Sequence, residues 1–356
     1  MAAALFATAQ EATAASSLMR LLRSKRATRE SYVVLTDLAR SDPYFAAATH
    51  LQKRHRATLV RFAPGRLNEA VRALRAKAPQ FVAVVLRPES LDVNLAYDLL
   101  EMSCRLDDDP FPDFAYGYIT GATAGDALAL AKAGSRPVDG SSPAPRRLLL
   151  FGPAAVRQPD ETAGLDWLQG WEGRRLAHEA GSYPTDRLAE LSGQDILRFW
   201  GHGAPDRVDG SLSSVQLRGL ELGPAVVFAG PCFSAVTHRS YRWERCDPAV
   251  TADTLNPQES LALAFVASGA AAYLGALHED RCASAAREMD YLLGSGETVG
   301  AAAKHTYDTV IMAADAAVPV FPRLRADMPP PDEDAVRFQI HRAASRVLLG
   351  DPAYCP

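Results

Sequence analysis

Ile196–Gly203 reads ILRFWGHG, and Val226–Cys232 reads VVFAGPC. Each segment is a short apolar run that halts at glycine and then presents a chemically active side chain. A run of this kind, bounded by turn residues, marks a strand buried on both faces, as in a parallel sheet. Ligands of open parallel sheets bind beyond the carboxyl ends of the strands. Two neighbouring strands ending in His202 and Cys232 therefore bring a base and a thiol to one sheet edge. Histidine can carry the proton for attack by a thiolate. The glycines flanking His202 let main chain approach a substrate closely and supply N–H groups to an oxyanion. Singly, a cysteine closing a strand is most often a small core residue, and a histidine among glycines a turn residue. Their pairing, 232 − 202 = 30 residues apart with both glycine-flanked, is what favours chemistry.

Strands and helices alternate outward from this pair. Tyr32–Leu35, Ala57–Phe62, Phe81–Leu86 and Phe114–Ile119 read as strands. Between them, Thr49–His55, Leu67–Ala78, the segment after Pro88 and Ala124–Ala133 read as helices. This is the βαβ pattern of a mostly parallel sheet covered on both faces. Gly134–Pro145 (GSRPVDGSSPAP) reads as a linker, and the pattern then restarts with strand Arg147–Phe151. Leu165–Ala180 reads as a helix, Leu261–Ser268 as a helix and Ala270–Leu274 as a strand. Ala285–Leu293, Val299–Met312 and Ala335–Leu348 read as helices, and Phe233–Asn256 as an irregular insertion. The expected organisation is a tail over 1–29, an α/β part over 30–135, a linker over 136–146 and a second α/β part over 147–356.

Composition narrows the function. The 356 residues are 48% hydrophobic and 22% charged, which is globular rather than disordered. A net charge of −4 makes nucleic acid an improbable main partner, and no apolar run is long enough for a membrane-spanning helix. The five cysteines (Cys104, Cys232, Cys246, Cys282, Cys355) include no C-x-x-C pair, so neither a disulfide scaffold nor a zinc ribbon is expected. Cys232, His238 and Cys246 match no common zinc spacing, and no metal or other cofactor is called for. At the N-terminus, Ala2–Ala9 is apolar and Ala7-Thr8-Ala9 fits a small-x-small cleavage site, but no basic residue precedes it. Two readings stand: a truncated signal peptide with export, or a flexible tail on a cytoplasmic protein.

Several segments resemble the gingipain-like cysteine peptidases of the caspase fold (clan CD). ILRFWGHG resembles that family's strand with Gly-His-Gly, and VVFAGPC its strand with the cysteine. Ser260–Gly275 (SLALAFVASGAAAYLG) resembles the following helix and strand. Val347–Pro352 (VLLGDP) is similar to a motif near the end of such domains, and Pro112–Ala133 to the strand and helix closing their first subdomain. The resemblance covers most of residues 30–356. It implies a three-layer α/β/α fold with mostly parallel sheets in two subdomains. It also implies Cys232 as nucleophile, His202 as proton donor, the N–H groups of Gly203 and Cys232 as oxyanion hole, and a protein or peptide substrate. The chain departs from the family after the first strand of the second part, where Phe151-Gly152-Pro153-Ala154-Ala155 offers no acid to orient the histidine. The catalytic set is then a dyad, or Asp160, Glu161 or Asp166 completes it. The same three acids are alternatively one wall of a P1 pocket, with Leu277–Ser284, including His278, Arg281 and Cys282, as the other. An acid at the pocket base favours Arg or Lys at P1, while an inward-pointing Arg281 neutralises that acid or selects an acidic residue; the basic reading is preferred.

Two other readings compete. An α/β-hydrolase would use Gly230–Ser234 as a nucleophile elbow, which needs a helix directly after the cysteine and a late histidine, and leaves His202 without a role. A caspase-fold adaptor or pseudo-peptidase would bind a protein partner without cleaving it. The loop 233–256, with Arg239, Tyr241, Arg242, Trp243 and Arg245, reads as a solvated loop or, more sharply, as a lid, a regulator or a partner contact.

Overall fold

The structure is a computed structural model, in which residues 31–63, 65–133, 146–153, 171–178, 185–209, 211–244, 247–280, 283–313 and 343–356 are described. The first part of the chain forms β1 (Tyr32–Thr36), α1 (Phe45–His55), β2 (Thr58–Arg61), α2 (Val71–Lys77), β3 (Phe81–Val85), α3 (Val93–Ser103), β4 (Ala115–Ile119) and α4 (Ala124–Ala133). There follow β5 (Arg146–Pro153), β6 (Trp171–His178), β7 (Ile196–Phe199), the short strands β8 (Gly203–Ala204) and β9 (Arg207–Val208), α5 (Ser214–Leu217) and β10 (Val226–Ala229). The last elements are β11 (Arg239–Glu244), β12 (Asp247–Thr254), α6 (Leu261–Ala267), β13 (Ala272–Ala276), α7 (Ala283–Ser295), α8 (Val299–Ala313) and β14 (Arg346–Gly350).

Ten of these strands form one sheet in the order β2-β1-β3-β4-β14-β13-β10-β7-β5-β6. The five strands from β2 to β14 run parallel to one another. The five from β13 to β6 are also mutually parallel. The two sets meet where β13 and β14 pair antiparallel. The expected caspase-like, mostly parallel α/β architecture is present, and the two sheets expected for its two parts are joined edge to edge into one.

Alternation along the strands makes the layers. In β5, Leu148 and Leu150 enter one apolar core while Leu149 and Phe151 enter the other. In β10, Val226 and Phe228 face the first core while Val227 and Ala229 face the second. The first core is closed by α7 and α8 through Ala285, Met289, Leu292, Val299 and Ala302. The second is closed by α6, whose Leu261–Val266 are all buried. Burying one such Leu or Phe side chain contributes about 1.5–3 kcal/mol, so the covered sheet is a rigid platform for the loops at its edge. Asp351, just past β14, is fully buried and gathers Tyr32 Oη at 2.9 Å, His55 Nε2 at 2.7 Å and Arg54 Nη1 at 3.3 Å. The Gly-Asp-Pro motif therefore fastens the last strand to β1 and α1.

Three elements differ from the sequence reading. Within Leu165–Ala180, expected as a helix, Trp171–His178 is edge strand β6. Gly173 disfavours a helix there, and exposed Glu172, Arg174 and Arg175 suit a charged sheet edge that resists further pairing. Ala335–Leu348, also expected as a helix, ends in β14 from Arg346 onward. A run as short as Val-Leu-Leu has no periodicity that separates a buried strand from a buried helix. Within the insertion 233–256, expected as irregular, β11 and β12 pair antiparallel, from Arg239 opposite Thr254 to Glu244 opposite Asp247.

Candidate active site

Register decides which side chains can meet. Phe199 at the end of β7 pairs directly with Ala229 at the end of β10. His202 and Cys232 each lie three residues beyond that pair (202 − 199 and 232 − 229). They leave the same sheet edge at the same level. The intervening residues hold the two loops together. The Gly230 N–H donates to the Phe199 carbonyl at 2.9 Å. A Cβ placed on Gly203 would collide with the Cys232 carbonyl oxygen and lie 2.5 Å from Pro231 Cβ. The main chains beside His202 and at Cys232 are therefore packed against each other, an approach only glycine allows.

The His202 loop is shaped by its neighbours. Trp200 is buried, and its indole N–H donates to the Pro153 carbonyl at 3.3 Å. Gly201 turns the chain with φ +139°, where a Cβ would come within 2.7 Å of Val208 Cγ1. The His202 carbonyl accepts from the Asp209 N–H at 2.8 Å, while its side chain is exposed. The main chain of this loop is thus fixed while His202 itself is exposed.

Past Cys232 the chain turns under β13 instead of entering a helix. Phe233 takes the left-handed conformation with φ 57°, and its N–H donates to the His278 carbonyl at 3.0 Å. Ser234 is fully buried, its carbonyl accepting from Tyr273 Oη at 2.7 Å. The absence of a helix at this point, which is fully described, removes the geometry of an α/β-hydrolase elbow. The Cys232 thiol is partly buried. It donates to the Asp280 carbonyl at 3.1 Å, and Sγ lies 3.3 Å from the Asp280 N–H. Burial pushes this thiol above its ordinary range, the Asp280 N–H pulls against that, and the carboxylates of Asp280 and Glu279 add to the rise. The resting group is the neutral thiol, and a base is needed to make it a nucleophile at neutral pH.

His278 lies in the site's wall but not open to solvent. It is 3% exposed and its ring meets Phe233 edge-on at 5.2 Å between centroids. Burial pulls its imidazole down to about 4. Because the folded value lies below the unfolded one, only the unfolded chain binds this proton in the interval between them. The stabilisation is complete above pH 6.5 and drains away as pH falls toward 4. At 1.36 kcal/mol per unit this costs about 2–3 kcal/mol at pH 4.5. Urea unfolding at pH 7 and pH 4.5 checks it: His278→Gln is expected to flatten the acid limb relative to wild type. Parallel losses in the two proteins would show that another group is responsible.

Asp160, Glu161, Asp166, Arg281 and Cys282 lie outside the described residues, so the first expected pocket wall is not described and the second is represented by Leu277–Asp280, Ala283 and Ser284. His238 is engaged elsewhere, its Nδ1 2.8 Å from the Leu255 carbonyl. The sequence reading included Asp280 only as part of the wall Leu277–Ser284 and missed Glu288 and Arg346. Among the described residues Arg346 is the largest fully buried side chain, and it pairs with both Asp280 and Glu288. One cue was available: an arginine opening the otherwise apolar run Arg-Val-Leu-Leu-Gly needs buried acids.

No protein-family model matches the chain, and no curated protein matches it. Among solved structures, the chain is similar to one described as a complex of Porphyromonas gingivalis RgpB pro- and mature domains. The TM-score is 0.61 at 8% identity, over 91% of this chain and 79% of the other. It is also similar to a structure described as a protease, with TM-score 0.53 at 12% identity, over 92% of this chain and 78% of the other. Identities this low speak for fold and not for activity: the chain shares with these structures a caspase-like α/β architecture built on a mostly parallel sheet.

Proposed function

We propose that this protein is a cysteine-type endopeptidase of the gingipain-like kind, with Cys232 as nucleophile and His202 as proton carrier. The observation that carries the reading is the shared level of the two residues beyond the Phe199–Ala229 pair, with Gly203 packed against the Cys232 main chain. The steps follow from the groups available. The Cys232 proton passes to His202 as sulfur attacks the peptide carbonyl carbon, and the carbonyl oxygen becomes an oxyanion beside the N–H groups of Gly203 and Cys232. Collapse of this intermediate breaks the C–N bond, and His202 returns the proton to the leaving amine. Water then hydrolyses the thioester, giving one proton to His202 as it attacks and restoring the thiol. Metal ions and organic cofactors have no part in this sequence of steps.

The substrate is a peptide or protein, with Arg or Lys favoured at P1 by the acids Asp160, Glu161 and Asp166. Digestion of a peptide library, with the products sequenced by mass spectrometry, tests this. Cleavage after Arg and Lys is the expected outcome. Cleavage after Asp or Glu would overturn the P1 assignment and point to Arg281 as the selecting charge. A folded protein that cleaves nothing would overturn the peptidase reading in favour of an adaptor that binds a partner, with hairpin β11–β12 as its first candidate surface.

A further inference from the structure

A cluster of buried charge that takes no direct part in the proposed chemistry lies behind the thiol. Arg346 opens β14 opposite Ala276, the last residue of β13, and is 2% exposed. Its Nη1 donates to the Ala229 carbonyl at 2.7 Å and to Asp280 Oδ2 at 3.0 Å. Its Nε donates to Glu288 Oε1 at 3.1 Å, and Nη2 pairs with Glu288 Oε2. Ser284 Oγ donates to the other Asp280 oxygen at 3.2 Å. The backbone of Arg346 is held as well, its carbonyl accepting from Tyr307 Oη at 2.7 Å.

These contacts have one geometric result. Ala229 ends the strand that delivers Cys232, and Asp280 is the residue whose N–H and carbonyl both meet the sulfur. One planar guanidinium therefore ties together the two segments that converge on the thiol. A guanidinium presents its donors in a fixed fork, so it sets direction as well as distance. Burying one cation with two carboxylates is an expensive way to gain stability, since apolar side chains of similar volume often serve as well or better. A role in holding geometry accounts for the arrangement.

We propose that Arg346 is a positioning residue for Cys232: by clamping Asp280 and Ala229 together, it aims the Asp280 N–H at the sulfur. The clamp rests on Cys232 being the nucleophile, because only there does the orientation of one N–H toward sulfur matter. The Asp280 carbonyl accepts from the thiol and its N–H points at the sulfur, and the hydrogen bond from this backbone acts in favour of the thiolate, so loosening the clamp makes the thiol harder to ionise. Charge alone makes a different forecast. The titratable groups around the sulfur are Asp280 and Glu279, with His202 on the neighbouring strand-end loop, His278 beside Phe233, and Glu288, Arg346 and Tyr307 beyond Asp280. A charge-conserving change at Arg346 leaves their field unaltered, and neutralising the Arg346, Asp280 and Glu288 cluster removes a net negative charge and favours the thiolate.

Two variants separate these cases. Arg346→Lys keeps the charge and loses the fork. Arg346→Met combined with Asp280→Asn and Glu288→Gln removes all three charges and leaves none without a partner, which protects folding if the single variant is unstable. The readout is the rate of Cys232 alkylation by iodoacetamide against pH, followed on the Cys232 peptide by mass spectrometry. Thermal unfolding establishes that each variant is folded. In both variants the midpoint is expected to rise by about one pH unit, with alkylation at pH 8 slowed about tenfold. An unchanged midpoint in folded Arg346→Lys, or an unchanged or lowered one in the folded triple variant, would overturn the positioning role. Alkylation needs no peptide substrate. A wild-type protein that cleaves no peptide would remove the nucleophile reading, and the midpoints would still decide the clamp.

Discussion

Cys232→Ala is expected to lower peptide hydrolysis by about 10⁴-fold or more, because it removes the atom that forms the bond to the substrate. What remains after such a loss is the contribution of substrate binding and main-chain N–H groups. The fold is expected to survive. The residue is small and partly buried, and its neighbours are held by main-chain bonds from Gly230 to Phe199, Phe233 to His278 and Ala235 to Ala276. Labelling gives a second readout: a peptidyl chloromethyl ketone is expected to add once to wild type, at Cys232, and not to the variant. The other free thiols in the described chain make this informative. Cys104 is buried with its thiol pushed up to about 12, which leaves it unreactive, whereas Cys355 is partly buried close to the C-terminus. Label at Cys355, or a variant retaining more than about a hundredth of wild-type hydrolysis, would show that the nucleophile lies elsewhere.

The parts of this architecture that could be read from the sequence are those where one residue pattern has one physical meaning. Apolar runs that stop at glycine, as in ILRFWGHG and VVFAGPC, are strands buried on both faces, and α6, α7 and α8 match the segments read as helices to within two residues at either end. β6 and β14 were harder for opposite reasons. The first is a charged edge strand that buries too little to show alternation, and the second is a buried run too short to have a period. The contact between Gly203 and Cys232 is a matter of register, which sequence spacing alone does not give. The Arg346 cluster was less legible still. Asp280, Glu288 and Arg346 come from the end of a loop, the middle of a helix and the start of a strand, so only the β13–β14 pairing assembles them.

His202→Ala is expected to slow peptide hydrolysis by about 10²–10⁴-fold, the usual contribution of a general acid–base group. The loss should depend on the leaving group, which distinguishes a proton carrier from a residue that merely shapes the loop. An amine leaves a tetrahedral intermediate only when protonated, whereas a p-nitrophenolate leaves without help. The variant's deficit on a p-nitrophenyl ester is therefore expected to be much smaller than on the matching amide, about tenfold. The thiol adds a pH dependence of known sign. Burial holds Cys232 neutral through the physiological range, so without His202 the nucleophile forms only as solution pH rises. Ester hydrolysis by the variant is expected to climb with pH toward wild-type rates, while amide hydrolysis stays low because its leaving group still lacks a proton. The imidazole is exposed, and Asp209 and the Gly203–Cys232 packing hold the main chain around it, so the substitution leaves the loop in place. Equal losses on ester and amide at high pH would mean that His202 supplies no proton to the leaving group, and the acid would then have to be sought beyond β5, where Asp160, Glu161 and Asp166 lie in the sequence.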